Sequence, residues 1–381
     1  MSPPPPKIPA TQTTPSVRVY FHSITGEPMS SRYEDPAWKV TRKRNKAAKK
    51  EMNRGTVQQV LEGLDVAGHT PMMTIFSLIK STTSAVTISG TTPDEHPEST
   101  DPQSHTIDWS TLPPSLTLTS TPQNAPRILR KRHQIAAFHS LLLAFSPPSG
   151  AIIADFGCGS CGITLPLAYL HPTLRFVAVD IKERALQLMS ARALEAGLSN
   201  ITTYCGDISG FDEPFDVGLS LHGCGQASDA AVKAAVENGA AYAVAPCCVG
   251  KVKFSISGEE HFAGRMAKGL EGEYRVLEYP RSAWLRKKLC ESVEEEEERG
   301  VVFGRLAAGA DNSNMGKEGN ANDKYYRSCA DLMCADRNQW AVEAGGYETH
   351  VGVIGGLESE AKSDVLVGWK RRTGDINKLV D

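Results

Sequence analysis

Apolar and polar positions change their spacing along the chain, and each change marks an element. Residues 127–145 carry apolar side chains at helical spacing, which predicts an amphipathic helix. Residues 151–180 then read as an apolar strand, a glycine loop, a helix and a second strand. Strands are further predicted at 201–204, 215–221, 241–245, 348–354 and 364–370, with helices at 182–197, 227–237 and 325–343. This alternation predicts an α/β fold with a doubly wound, mostly parallel sheet.

The composition changes before and within this α/β region, and the changes suggest domain boundaries. Segments rich in proline, serine and threonine bury too little apolar surface to order themselves. An apolar stretch at 69–79 is expected to pack on the main domain. The predicted divisions are a disordered tail at 1–34, a basic and partly helical segment at 35–80, a Ser/Thr/Pro-rich linker at 81–126, and a main domain at 127–381 with a flexible insertion around 291–323.

Cysteine content, hydrophobicity and charge indicate where the protein works and what it could bind. The nine cysteines are an odd number, which argues against a disulfide framework and for reduced thiols. No apolar run approaches the roughly 18 residues that a membrane span needs, so we expect no membrane association. We expect a cytoplasmic or nuclear location. The net charge is −3, yet the stretch from Lys39 to Arg54 is strongly basic. It could contact an RNA backbone, act as a nuclear import signal, or form a solvated helix face.

The glycine loop after the first strand is the strongest functional signal. Gly157, Gly159 and Gly162 give the pattern G-x-G-x-x-G between a strand and a helix. Glycines there permit a close approach of the backbone to a ligand, and helix amides face that ligand. Asp180 ends the second strand, at the distance along the chain where an acid meets ribose hydroxyls. The pattern predicts a site for a nucleoside-containing cofactor.

Two further acids favour S-adenosylmethionine over a nicotinamide cofactor. Asp155 lies two residues before the first glycine, where its carboxylate suits the ammonium group of S-adenosylmethionine. After the third strand, Asp207 can accept the adenine amino group and Ile208 can cover the ring. The alternative for Asp207 is an ordinary turn residue. The expected cofactor contacts are Asp155, Phe156, Gly157, Gly159, Gly162, Asp180, Ile181, Asp207 and Ile208.

The ends of the fourth and fifth strands carry the candidate catalytic residues His222, Cys224 and Cys247, with Cys248 beside the last. In a doubly wound sheet these ends line the ligand crevice. The thiols could pack as small hydrophobes, bind zinc, or shape an acceptor pocket. Because no pair here has the spacing of structural zinc motifs, no metal is expected. The unperturbed pKa of histidine lies near neutrality, so His222 could be a general base, or it could only hydrogen-bond the cofactor or a loop.

Another cysteine pair lies inside the glycine loop itself. Cys158 and Cys161 form C-x-x-C between a strand and a helix, a spacing also found in thioredoxin-type redox sites. The alternative is that both are small side chains tolerated in a tight loop. We favour the second interpretation, because the glycines and Asp180 already assign this loop to a cofactor.

Taken together, these motifs resemble the class I S-adenosylmethionine-dependent methyltransferases. The residues that carry the resemblance are ADFGCGSCGITLPLA, VAVD, GDI, LHGCGQASDAAV and APCC, with RKRHQ before the first strand. Within the class, they are most similar to the methyltransferase domain of glutathione-S-transferase-C-terminal-domain-containing proteins and more distantly to tRNA 2′-O-methyltransferases. The resemblance implies a seven-stranded sheet whose last strand is antiparallel, and an RNA or protein acceptor.

The sequence therefore predicts an S-adenosylmethionine-dependent methyltransferase that acts on RNA, with a tRNA-like substrate in the first place. Three alternatives stay open. They are a protein methyltransferase, a nicotinamide-dependent oxidoreductase, and a non-catalytic methyltransferase-like protein that binds RNA.

Overall fold

The structure, a computed structural model, describes six main stretches of the chain and a few short pieces. The stretches are 107–116, 125–160, 162–252, 277–312, 321–354 and 364–370, and the pieces are 20–21, 28–29, 57, 61 and 72–74. The chain divides into two units, Met1–Thr56 and Val57–Asp381. In the first, Tyr20–Phe21 pairs antiparallel with Pro28–Met29, inside the predicted disordered tail at 1–34. The basic stretch 39–54 and Cys161 lie outside the described residues.

A single large sheet organises the second unit. Its seven main strands are β1 (Ile152–Phe156), β2 (Arg175–Asp180), β3 (Ile201–Cys205), β4 (Val217–Gly223), β5 (Ala241–Pro246), β6 (Tyr347–Val353) and β7 (Asp364–Lys370). Their order across the sheet is β6-β7-β5-β4-β1-β2-β3. The short strand Met72–Thr74 adds an eighth member beside β6, pairing parallel to it. This pairing places Met72–Thr74, the described part of the apolar stretch 69–79, against the main domain.

The strand directions confirm the predicted mostly parallel sheet. β1 pairs parallel with both β2 and β4, and β4 pairs parallel with β5. β7 alone among the seven runs antiparallel to its two neighbours, β5 and β6. The order reverses at β1, because β2 and β3 lie on one side of it and β4 on the other. A ligand crevice is expected at this reversal, beyond the carboxyl ends of the strands.

Helices cover both faces of the sheet. They are α1 (Ala125–Phe145), α2 (Thr164–Leu170), α3 (Glu183–Glu195), α4 (Gln226–Asn238), α5 (Ala283–Ser292), α6 (Glu296–Ala310) and α7 (Ala321–Gly345). Residues of α1 and α2, including Phe138 and Leu167, share one core with strand residues such as Ile153. α4 and α7 pack on the opposite face with Phe156 and Tyr242. The alternating strand residues thus feed two cores, as a doubly wound sheet requires.

Two predicted irregular segments contain ordered structure. The predicted flexible insertion at 291–323 is helical over Glu296–Ala310, because Val302, Phe303 and Leu306 recur at helical spacing and are buried in a third core. The acidic run before them concealed this pattern. The predicted linker at 81–126 includes Ile107 and Leu112, which are buried against α1 residues in the first core. In the part of the chain that the structure describes, no helix is long and apolar enough to cross a membrane.

Candidate active site

The glycine loop leaves β1 with two glycines in the left-handed region. Gly157 has φ of +72° and Gly159 has φ of +62°, and the space around a Cβ added at either position is empty to 4 Å. Gly162 is glycine for a different reason. A Cβ there would lie 2.5 Å from the carbonyl oxygen of Cys158 and 2.8 Å from Oδ2 of Asp155. The first two glycines therefore shape a surface open to a ligand, and the third lets the loop pack on Asp155.

Asp180, at the end of β2, is bonded directly to this loop. Its Oδ2 accepts a hydrogen bond from the N–H of Gly159 over 2.9 Å, and its Oδ1 accepts one from the N–H of Lys182 over 2.8 Å. The side chain is partly exposed, so unused lone pairs of both oxygens remain accessible to hydroxyl donors. This geometry suits a carboxylate that grips a ribose diol.

Asp155 is the buried acid of the site, with 2% of its surface exposed. Its Oδ2 accepts a hydrogen bond of 2.6 Å from the hydroxyl of Thr164, at the start of α2. Burial raises the pKa of Asp155 to about 6, although the Thr164 hydrogen bond and the positive charge of Lys131 act in the opposite direction. A cationic group brought beside this carboxylate would therefore favour its ionised form.

The other predicted cofactor contacts have different surroundings. Asp207 caps the 3-10 turn Ile208–Gly210, since its Oδ1 accepts the N–H of Ser209 over 2.8 Å. That bond is the one expected of a turn residue, and it leaves the second carboxylate oxygen for an adenine amino group. Ile208 is buried and Ile181 is half-buried. The Phe156 ring lies fully buried among Phe211 and Phe215, so Phe156 can offer a cofactor only its backbone.

β4 ends in an irregular stretch that presents His222. The β4–β5 pairing shifts register between Ser220 and Gly223, and His222 has φ of +135°. This backbone conformation is costly for a residue with a side chain, and such strain is concentrated at functional sites. The same bulge exposes the imidazole, while its neighbours Leu221 and Gly223 are buried. The strand end is built to present this one side chain outward.

The three predicted thiols come together at the ends of β4 and β5. Sγ of Cys224 lies 2.9 Å from Sγ of Cys247, and Sγ of Cys247 lies 3.7 Å from Sγ of Cys248. Cys247 is buried, whereas Cys224 and Cys248 are half-buried. The fourth and fifth strand ends therefore converge as the parallel sheet predicts. Cys158, the described member of the C-x-x-C pair, is buried, and burial raises the pKa of its thiol far above the ordinary range.

Asp229, in the same motif as His222 and Cys224, has a structural role. Its carboxylate receives two hydrogen bonds from the Arg337 guanidinium, at 2.7 and 3.0 Å, and one of 2.9 Å from the Tyr279 hydroxyl. Asp229 and Arg337 are both almost completely buried. This pair ties α4 to α7 behind the strand ends and fixes where α4 begins.

Three residues of the site were missed from the sequence. Thr164 hydrogen-bonds Asp155, and Lys131 on α1 acts on the same carboxylate through its charge. Ser220 is fully buried, and its hydroxyl donates to the carbonyl of Phe156 over 2.8 Å, joining β4 to β1. Thr164 could have been found from the sequence, because it is a hydroxyl residue two positions after the last glycine of the loop. The other two depend on long-range packing.

Comparison with known proteins agrees with this geometry. Residues 130–254 match a family described as a methyltransferase domain. Glutathione S-transferase C-terminal domain-containing proteins are similar over part of their length. The mouse protein is 29% identical over 45% of this chain and 30% of its own length. The Xenopus laevis protein is 24% identical over 69% of this chain and 38% of its own length. The Drosophila pseudoobscura homologue is 32% identical over 39% of this chain and 25% of its own length. The chain thus spans well under half of these relatives.

Solved structures with partial similarity include several methyltransferases. TrmN from Thermus thermophilus is 23% identical, covering 29% of this chain and 38% of its own, with a TM-score of 0.26. The S-adenosylmethionine-dependent methyltransferase SibL in its apo form is 15% identical. The match covers 66% of this chain and 60% of the SibL chain, with a TM-score of 0.32.

Proposed function

We propose that this chain, whose residues 130–254 match a family described as a methyltransferase domain, is a class I S-adenosylmethionine-dependent methyltransferase and transfers a methyl group to RNA. The observation that carries the transferase activity is the bonded pair of Gly159 and Asp180 beside the open glycine surface. That arrangement gives a preformed place for a ribose next to a backbone that a ligand can approach closely.

The residues present fit S-adenosylmethionine. Asp180 would hold the ribose hydroxyls, and Asp207 with Ile208 would hold the adenine. Asp155 is a buried carboxylate with a raised pKa, and a cationic ligand group would stabilise it in the charged form. Lys131, whose charge already acts on Asp155, would pair with the carboxylate of the cofactor. When bound, S-adenosylmethionine supplies an electrophilic methyl group on a sulfonium sulfur.

The chain's own contribution to catalysis is alignment and removal of a proton. His222 is exposed at the end of β4, and imidazole is the side chain that most often serves as a general base. It would take a proton from the acceptor atom as the methyl group is transferred. The sheet would hold the donor near β1 and β2 and the acceptor near β4 and β5, and such fixed placement itself accelerates a reaction.

RNA is proposed as the acceptor because positive charge lies at the mouth of the cofactor loop. α1 begins with Arg127, Arg130, Lys131 and Arg132, and the first two are exposed. Lys131 and Arg132 line a small cavity together with Gly162 of the loop. The sequence carries a second basic stretch at 39–54. Cations near a catalytic crevice suit a phosphate backbone.

The proposal is tested in two steps with the full-length protein. Calorimetry should give measurable binding of S-adenosylmethionine and none of NAD. Label transferred from methyl-labelled S-adenosylmethionine to cellular extract should then be removed by ribonuclease and resist protease. Label removed by protease instead would make the acceptor a protein. NAD binding without S-adenosylmethionine binding would contradict the transferase.

A further inference from the structure

Three thiols from two separate loops meet at the carboxyl ends of β4 and β5. The ligand atoms of Cys224, Cys247 and Cys248 all lie within 4.8 Å of one another, and no disulfide joins them. Zinc–sulfur bonds of about 2.3 Å in a tetrahedron place sulfur atoms about 3.8 Å apart. The Cys247–Cys248 sulfur separation of 3.7 Å matches that edge length, and the Cys224–Cys247 separation of 2.9 Å is shorter by about 0.9 Å. A metal ion therefore fits with sub-ångström to ångström shifts of the side chains.

The backbone around the thiols holds the two loops together. The N–H of Gly225 donates to the carbonyl of Cys248 over 3.1 Å, and the N–H of Cys247 donates to the carbonyl of Gly223 over 3.4 Å. Gly225 has φ of +58°, and a Cβ there would lie 2.8 Å from Cβ of Lys251. The loops are thus closely packed, which fixes the positions of the sulfur atoms before any ion arrives.

Positively charged groups lie near the thiols. Cys224 lies two residues before α4, a helix of 13 residues, and its carbonyl accepts the N–H of Ala227 over 3.2 Å. The N-terminus of a helix carries partial positive charge. Lys251 follows Cys248 within the next turn. Because cysteine binds a metal ion through an anionic sulfur, positive groups at this position suit the site.

We propose that Cys224, Cys247 and Cys248 form a three-thiolate zinc site. A donor set of sulfur alone excludes magnesium and calcium, which require oxygen ligands. The spacing of cysteines along the sequence argued against a metal, but spacing cannot show ligands that two strand ends bring together. Within the described residues, no imidazole or carboxylate joins the group at the same distance.

The fourth coordination position would be open. Cys224 and Cys248 are both half-buried while Cys247 is buried, so the cluster has one side exposed to solvent. Zinc sites that keep three protein ligands and one exchangeable position are typical of catalysis, because zinc lowers the pKa of whatever binds there. A methyl acceptor bound at that position would lose its proton more readily. This role rests on the proposed function, whereas the zinc site itself does not.

The first test is the zinc content and affinity of the full-length protein. Protein purified under reducing conditions without chelator should contain one zinc per chain by elemental analysis. After zinc is removed, titration with Zn²⁺ against a chromophoric chelator should restore it. We expect each of three variants, Cys224→Ser, Cys247→Ser and Cys248→Ser, to weaken zinc binding by roughly a hundredfold or more. That loss exceeds what is typical when a residue that only supports a ligand is changed. Cys290→Ser, at an exposed cysteine on α5, should bind zinc as the wild type does.

The second test needs no variant and so does not depend on their folding. Zn²⁺ should protect the three cysteines of wild-type protein from alkylation, mapped by peptide mass spectrometry, and leave Cys205 and Cys290 reactive. Zinc binding that is absent, or equally strong in all four variants, overturns the site. So does a Cys224–Cys247 disulfide in protein kept reduced. Calorimetry with S-adenosylmethionine on the same samples tests the proposed function separately, so a failure of the zinc site can be told from a failure to bind the cofactor.

Discussion

The backbone N–H of Gly159 and Oδ2 of Asp180 are joined by a hydrogen bond of 2.9 Å, between residues 21 positions apart in the chain. The bond links the glycine loop after β1 to the end of β2. The loop therefore has its shape before a cofactor binds, and the acid that would grip the ribose is also a structural support of the loop. A change at Asp180 should affect both.

Asp180→Ala is expected to weaken S-adenosylmethionine binding about tenfold or more, since each charge-assisted hydrogen bond contributes roughly 1.5 to 3 kcal/mol. Asp180→Asn should weaken it as well, because an amide nitrogen would face one of the two backbone N–H donors. Calorimetry measures both affinities. The control is Asp216→Asn, an acid before β4 that also accepts a backbone N–H, from Ile152. Unchanged affinity in both Asp180 variants would exclude this site for the ribose.

The raised pKa of Asp155, about 6, predicts a pH dependence of cofactor binding. The ammonium group of S-adenosylmethionine favours the carboxylate, so affinity should be constant above pH 6 and fall up to tenfold per pH unit below it. Thr164→Val removes a bond that lowers this pKa, and the fall should then begin at a higher pH. Calorimetry from pH 5 to 8 checks both. In Asp155→Asn the affinity should be low and independent of pH.

Asp155 should also make the folding stability of the cofactor-free protein depend on pH. Its pKa in the folded protein lies above the usual unfolded value of about 3.9, so folding favours the protonated form. The stability of the wild type should therefore fall as pH rises from about 4 to 6, by up to about 3 kcal/mol, and then stay level. Asp155→Asn should lack this fall in denaturant unfolding. An identical pH profile for the two proteins would contradict the raised pKa.

His222→Ala is expected to leave cofactor affinity within a few-fold and to lower the rate of methyl transfer by roughly a hundredfold or more, as loss of a general base does. Single-turnover rates and calorimetry separate the two effects. The matched control is His133→Ala, an exposed histidine on α1, which should change neither. An equal loss of rate and of affinity would make His222 a cofactor ligand instead.

The buried pair of Asp229 and Arg337 should dominate the stability of the α4–α7 contact. Asp229→Asn leaves the guanidinium buried beside a neutral partner, and breaking such a pair costs about 3–5 kcal/mol. Glu237→Gln breaks an ion pair with Lys233 on the same helix, but Glu237 is 59% exposed and the loss should stay below about 1 kcal/mol. Urea unfolding midpoints compare the two. Equal losses would show that burial does not decide the effect.

Deleting residues 1–56 tests the basic stretch at 39–54. The cut ends before Val57, which is fully buried in the core with Leu289 and Phe303. The truncated protein should bind S-adenosylmethionine as before, bind RNA more weakly, and show a flatter dependence of RNA affinity on salt, because fewer counterions are released. RNA affinity and salt dependence that match the full-length protein would assign the stretch another role.

The sequence predicted those features that depend on local pattern. Strand and helix periods located β1 to β7 and α4, and the glycine pattern with Asp180 located two segments that the structure joins by a hydrogen bond. The convergence of Cys224 with Cys247 followed from parallel neighbouring strands. The sequence did not show contacts between distant segments, such as that of Asp229 with Arg337, which lies 108 residues away in the chain. α6 was missed because charged residues precede its apolar positions.

The short strand Met72–Thr74 pairs in register with Val351–Val353 on the outer side of β6. It supplies hydrogen-bond partners to an edge that would otherwise offer its amides and carbonyls to any passing strand. Yet it precedes the methyltransferase match at 130–254 by more than fifty residues. A fragment that starts at residue 130 but keeps β6 and β7 would leave this edge unpaired and should self-associate, so a well-behaved fragment of this chain starts before residue 72.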